Sequence, residues 1–234
     1  KKEIIIAAAA SFIAAFLWFI PGFWALGEGS DSFFVALYQI FFHTADPEPL
    51  IGKGVDQLGT FWMVSQVAGM LSGESGTVLP GLFAPVGFDL GIHTGFAWLD
   101  CIPAVPFVYL IGIPGFYNLH VFFSLFLSFG GLVFLMRSTG LNIWLSLALA
   151  SLCLYHPFSL AEISQGRPTQ MHWIFPTLFL FFILKMQGEK IRKRSGLFAG
   201  ICLACSCLVY WFGGAAVGFC GALVLLLSLR GHSK

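Results

Sequence analysis

Long runs of apolar residues separated by short polar segments dominate this chain. Uninterrupted apolar stretches cover residues 4–25, 119–136, 141–158, 173–184 and 197–229. A helix needs about 20 apolar residues to cross a bilayer, and the last stretch is long enough for two helices that turn near Gly213 and Gly214. The pattern predicts an all-α integral membrane protein with about six transmembrane helices.

Residues 27–118 form the long segment between the first two predicted spans, and this segment is rich in Phe, Trp, Leu and Val. Helical spacing of apolar residues predicts helices over 32–43 and 56–71, lying along the membrane surface. Pro103, Pro106 and Pro114 interrupt the apolar run 102–115, which predicts a re-entrant or interfacial segment. We expect one polytopic domain over 1–234, with a partly helical extracytoplasmic loop at 27–118 and a helical bundle at 119–229.

The distribution of charge predicts the orientation of these helices. With a cytoplasmic N-terminus, ten of the twelve Lys and Arg residues fall inside, and only Lys53 and Arg167 fall outside. This asymmetry follows the positive-inside rule and is typical of a multi-pass protein of the bacterial cytoplasmic (inner) membrane. Nine of the eleven acidic residues fall outside, and a functional outer face is one explanation.

Composition supports membrane lipid as the solvent and excludes nucleic acid as a partner. Only 10% of residues are charged and 58% are hydrophobic, whereas a soluble domain carries roughly 25% charged residues. The net charge is +1, and no run of Lys or Arg could follow a phosphate backbone. Most of the six cysteines lie in apolar runs, where Cys behaves as a small hydrophobe.

Asp56 is the first candidate for chemistry, because it opens the predicted helix 56–71 in the outer segment. An Asp at this position caps the helix by accepting hydrogen bonds from its free N–H groups. It could also act as a general base or as a metal ligand toward a polar substrate. Asp46 and Glu48, which flank Pro47, could join Asp56 in a site for Mg²⁺ or Mn²⁺, although such a sequence is more often a plain loop.

A second candidate is the polar loop 159–170, which carries Arg167 and is followed by His172 at the start of the next apolar stretch. Arg grips phosphate groups through paired N–H donors. Arg167 is therefore a candidate for binding an anionic headgroup, with a solvated loop Arg as the alternative.

Several short motifs follow one another in a recognisable order. They are Asp56-Gln57 with Phe61-Trp62, Pro85-Val86-Gly87 with Asp89-Leu90, Tyr117-Asn118-Leu119, Arg137 at the end of a span, Tyr155-His156-Pro157, and Pro176 early in a helix. In this order the chain resembles the amino-terminal part of bacterial polytopic membrane glycosyltransferases of the C-type (GT-C) superfamily, over roughly residues 50–220.

The resemblance implies transfer of a sugar from a polyprenyl-phosphate donor at the extracytoplasmic face. By this resemblance Asp56 would be the catalytic base or a metal ligand. Gln57, Asp89, Arg167 and His172 are further candidates for contact with the substrate. One alternative is a non-catalytic accessory subunit that uses the same scaffold with partner membrane subunits. Another is a transporter or channel, although the spans carry almost no ionisable residues of the kind that mark transport paths.

Overall fold

A computed structural model describes residues 2–18, 55–76, 78–79, 88–89, 98–186 and 193–231 of the chain. Its helices are α1 (Lys2–Leu17), α2 (Val55–Ser72), α3 (Trp98–Ser138), α4 (Ile143–Leu154), α5 (Pro157–Ser164), α6 (Ile174–Met186), α7 (Lys193–Val209) and α8 (Trp211–Gly231). A 3-10 helix, Pro168–Met171, precedes α6, and β1 (Val78–Leu79) pairs antiparallel with β2 (Phe88–Asp89). The described part is thus predominantly helical, as the sequence predicts.

α3 is the long central helix, and its sharp bend lies at Gly112. This residue has φ 74° and ψ 170°, a conformation that L-residues with a Cβ rarely adopt. The helix continues without a break through Pro103 and Pro106, so the prediction that these prolines interrupt the segment is wrong. The predicted boundary between residues 118 and 119 lies inside α3.

The part of α3 after the bend is a membrane-spanning candidate. Gly115–Ser138 contains 24 residues with a mean hydropathy of 2.1, and among the described residues it is the one straight helix long and apolar enough to cross a bilayer. α4 and α5 pass the same test together, but they are bent by 50° at the break between them. One or two spans are therefore supported by length and composition, and the larger number of six stays a prediction.

The predicted span 141–158 is broken because Pro157 begins a new helix. α4 ends at Leu154, and Nδ1 of His156 accepts a hydrogen bond from the Phe158 N–H at 3.2 Å, which caps α5. Pro at the first position of a helix has no N–H to lose, and the residue before it is biased away from helical geometry. The Tyr155-His156-Pro157 motif is thus a helix boundary.

Two other boundaries differ from the prediction. α6 has only 13 residues, fewer than the roughly 17 of the shortest spanning helices. The turn between α7 and α8 lies at Tyr210, so Gly213 and Gly214 belong to the first turn of α8 and not to the loop. The predicted helix 32–43 and the end of the first apolar stretch, 19–25, lie outside the described residues.

The core forms where α3 contacts α1, α2, α4 and α6. Tyr117, Val121 and Leu125 on α3 are at most 2% exposed, and they pack with residues of α1 and α4. α2 packs on the first half of α3 through Val64 and Val67, which confirms the predicted helix 56–71. This packing places the polar loop between α5 and α6 beside α2.

Candidate functional site

An ion pair joins Glu162, near the end of α5, to Arg167 in the loop that follows this helix. Nη1 of Arg167 lies 3.3 Å from Oε2 of Glu162, whose side chain is 10% exposed, whereas that of Arg167 is 36% exposed. Gly166, with φ 81°, turns the chain between them, and the Arg167 N–H donates to the carbonyl of Glu162 at 2.9 Å. One side of the guanidinium thus meets a carboxylate while part of it remains accessible.

α2 reaches the same loop from a distant part of the sequence. Oγ1 of Thr60 donates a long hydrogen bond of 3.5 Å to the carbonyl of Gly166, across 106 positions of sequence. Asp56 lies one helical turn before Thr60 on α2. The structure therefore brings the helix that carries Asp56 and the loop that carries Arg167 into contact.

Asp56 lies in the first turn of α2, because the helix begins at Val55. Asp56 therefore lies inside the helix, and the prediction that it is the N-cap residue is wrong. A carboxylate in the first turn still interacts favourably with the helix dipole. The side chains of Asp56 and Gln57, and that of Asp89 on β2, lie outside the described part of the structure. Asp46 and Glu48 lie outside it entirely, as does the Pro85-Val86-Gly87 motif.

His172 lies at the C-terminal end of the 3-10 helix, and its ring faces a second histidine. The ring centroids of His172 and His120 on α3 are 6.1 Å apart, in an edge-to-face arrangement. Phe116 stacks on His120 at 5.6 Å and Phe175 stacks on His172 at 5.6 Å. The two imidazoles thus sit between aromatic rings, and His120 belongs to the site although the sequence analysis did not select it.

His120 begins a polar stripe on α3, which we define as His120, Ser124 and Ser128. These positions are four residues apart and therefore share one face of the helix. Ser128 is fully buried; its Oγ donates to the carbonyl of Met171 at 2.7 Å and accepts from the Trp173 N–H at 2.8 Å. Ser128 therefore joins α3 to the end of the 3-10 helix. Because its two partners, Met171 and Trp173, flank His172 in the sequence, these hydrogen bonds also fix the position of the His172 backbone.

The polar stripe could have been found from the sequence. Ser124 and Ser128 carry the polar side chains in the interior of the apolar run 119–136. Together with His120 they recur at helical spacing. A polar side chain inside a span is costly unless it is satisfied, so this spacing predicts a polar partner. The partner itself could not be predicted, because it is the backbone of residues 171–173, which the loop geometry alone places there.

A cavity of about 240 Å³ is lined in part by His172 and Trp173. It opens between the loop before α6 and the turn between α7 and α8, and its polar lining residues are Thr169, Gln170, His172, Trp173, Ser206 and Tyr210. Ligand pockets for drug-sized molecules measure roughly 300–1,000 Å³ and combine aromatic walls with a few polar groups. This cavity has that chemistry at a smaller size.

The described residues contain no group of three or more His, Cys, Asp or Glu side chains that could hold a metal ion. None of the six cysteines, all of which lie in the described part, forms a disulfide bond. The predicted site for Mg²⁺ or Mn²⁺ rests on Asp46, Glu48 and the side chain of Asp56, which lie outside the described part.

Comparison of the chain with protein-family models, with curated proteins and with solved structures gives no match. The resemblance to C-type glycosyltransferases therefore rests on the sequence motifs alone.

The contribution of the polar stripe can be measured by replacing its two serines separately. We expect Ser128→Ala to destabilise the protein by about 1–3 kcal/mol, because it removes two buried hydrogen bonds of about 0.5–1.5 kcal/mol each and leaves the Trp173 N–H with its bond to the Met171 carbonyl at 3.0 Å. Ser124→Ala is the matched control: Ser124 is equally buried, but its Oγ has no hydrogen-bond partner among the described residues. Thermal unfolding in detergent measures both, and equal losses for the two variants would contradict the role of Ser128.

Proposed function

We propose that the chain spans the bacterial cytoplasmic membrane about six times, with its N-terminus inside. The helix Gly115–Ser138 supports this, and so do large apolar side chains that are exposed along several helices. Leu110, Trp144, Leu152 and Phe219 are each at least 67% exposed. Exposed apolar surface of this extent indicates an apolar environment, and lipid supplies one.

The proposed orientation predicts a labelling pattern at the two ends of the described bundle. Glu74, after α2, would be outside, and Thr139, after α3, would be inside; both are exposed. In a variant without the six native cysteines, we expect Glu74→Cys to react with an impermeant maleimide in intact cells and Thr139→Cys to react only after lysis. The opposite pattern would overturn the orientation.

Within this membrane placement, we propose that the protein transfers a sugar from a polyprenyl-phosphate donor at the extracytoplasmic face. The observation that carries the proposal is the contact between Thr60 and Gly166. It joins α2, the helix that carries the candidate Asp56, to the loop that carries the candidate Arg167. In this proposal Asp56 is the general base, and Arg167 binds the donor phosphate through the accessible part of its guanidinium.

The cavity beside His172 adds a place for the polar part of the substrate. Its aromatic walls and its polar groups suit a small hydroxylated ring, and its volume is below that of a drug-sized pocket. His172 lines this cavity and also contacts His120, so a group bound there would contact a histidine that Ser128 helps to position. Gln57 and Asp89 remain predicted substrate contacts.

Binding of a polyprenyl-phosphate-linked monosaccharide tests this assignment of Arg167. We expect Arg167→Gln to weaken binding by about tenfold, because a charge-assisted hydrogen bond is lost, and Arg167→Lys to weaken it less. Arg194→Gln is the control, since this exposed Arg lies in α7 at the predicted inner end. Radiolabelled donor in proteoliposomes provides the measurement, and unchanged binding by Arg167→Gln would exclude the role.

The Glu162–Arg167 pair favours a second candidate, a non-catalytic accessory subunit. A guanidinium that is held by a carboxylate at 3.3 Å can serve the loop structure alone. In that case Arg167→Gln and Glu162→Gln would destabilise the loop to a similar degree, and neither would change donor binding by the folded protein. Partner membrane subunits would then co-purify with the wild-type chain.

A further inference from the structure

An apolar groove runs between α1, α3 and α6. Its volume is about 420 Å³, and its walls are small or apolar. They include Ala7, Ala8, Phe126, Gly130, Phe134 and Leu178. No residue of this groove belongs to the candidate site described above.

Two charged residues, Glu3 and Arg137, close one end of this groove. Nη2 of Arg137 lies 2.7 Å from Oε2 of Glu3, and their side chains are 34% and 55% exposed. Nη1 of Arg137 also donates to the carbonyl of Leu141. A guanidinium has five N–H donors, so Arg137 retains donors for a further anion, and the half-exposed carboxylate of Glu3 retains acceptor capacity for a further cation.

The length of the groove matches one leaflet of a bilayer. From Arg137 to Phe126 it follows eleven residues of α3, which is about 16 Å of helix, and the hydrocarbon core of a bilayer is about 30 Å thick. The end at Glu3 and Arg137 would therefore lie at the interface, and the end at Phe126 would lie near the midplane.

We propose that the groove binds a phospholipid with a primary ammonium headgroup, whose acyl chain lies along Gly130 and Phe134. The phosphate would meet Arg137 and the ammonium would meet Glu3. A pair of opposite charges is complementary to a headgroup that carries both signs, whereas an anionic headgroup would place a second negative charge beside Glu3. The inference rests on the proposed membrane placement, but not on the sugar-transfer reaction.

Native mass spectrometry of the purified protein with added lipids tests the headgroup. We expect phosphatidylethanolamine to bind about tenfold more tightly than phosphatidylglycerol, because the site offers one charge-assisted partner to each charge. Phosphatidylcholine should bind more weakly than phosphatidylethanolamine, since its quaternary ammonium has no N–H to donate. Equal binding of the three lipids, or a preference for phosphatidylglycerol, would overturn the proposal.

Two kinds of variant separate the headgroup contacts from the groove. Glu3→Gln should remove the preference for phosphatidylethanolamine over phosphatidylglycerol, and Arg137→Gln should weaken both lipids by about tenfold. Ala8→Phe should obstruct the groove and lower lipid retention several-fold. Ala9→Phe is its matched control, because Ala9 is an exposed neighbour on α1 that does not line the groove.

The same variants identify a different occupant. If Ala8→Phe leaves lipid retention unchanged but reduces the size of the protein assembly, a helix fills the groove and the lipid proposal is wrong. If lipid retention falls in Ala8→Phe while donor binding through Arg167 is normal, the lipid site stands independently of the proposed transferase function. Normal lipid binding together with absent sugar transfer would leave this inference intact and count against the enzyme.

Discussion

Replacement of Asp56 with Asn is expected to lower the rate of sugar transfer by about 10²–10⁴-fold, the contribution that general base catalysis typically makes. The Asn amide has nearly the same size as the Asp carboxylate, but it cannot take a proton from the substrate that receives the sugar. Asp56 lies in the first turn of α2, where loss of its charge should cost only about 0.3–1 kcal/mol of stability. Transfer of label from a polyprenyl-phosphate donor in proteoliposomes measures the effect.

The matched control for this experiment is Glu74→Gln. Glu74 is an exposed carboxylate two residues beyond the C-terminal end of α2, so it carries the same charge as Asp56 but lies about four helical turns of chain beyond Thr60. We expect Glu74→Gln to transfer sugar at the wild-type rate. A normal rate of sugar transfer by Asp56→Asn would exclude the general-base role. Loss of transfer in both Asp56→Asn and Glu74→Gln would indicate an effect of net charge and not of a specific base.

The helices of this chain were largely predictable because their apolar runs are long. α3 from Gly115 to Ser138 and α2 both follow the expected stretches. The boundaries were harder, because single residues set them. Pro157 and the capping His156 cut the run 141–158 into two helices that a hydropathy pattern does not distinguish.

The candidate site was predictable only in part. Arg167 and His172 could be selected as polar residues beside apolar helices, but their partners depend on tertiary contacts. Glu162 meets Arg167 because Gly166 turns the loop, and His120 meets His172 because Ser128 holds the backbone of Met171 and Trp173. No sequence pattern predicts that α2 touches Gly166 across 106 positions.

The close approach of α7 and α8 yields the second large expected effect. A Cβ placed on Gly214 would lie 2.7 Å from the backbone nitrogen and 2.8 Å from the Cα of Cys207. These are main-chain atoms, so a rotamer change cannot relieve the clash. We expect Gly214→Ala to destabilise the α7–α8 hairpin by about 1–3 kcal/mol, the usual cost of overpacking.

Gly200→Ala in α7 is the matched control for this substitution. A Cβ at Gly200 would meet nothing within 4 Å, and Ala is favoured over Gly by about 1 kcal/mol inside a helix. The two substitutions add the same methyl group to neighbouring helices, so they should change the midpoint of thermal unfolding in opposite directions. If Gly214→Ala unfolds at the wild-type temperature, α7 and α8 do not pack at the distance described, and the cavity beside His172, which Gly214 lines, would have a different shape.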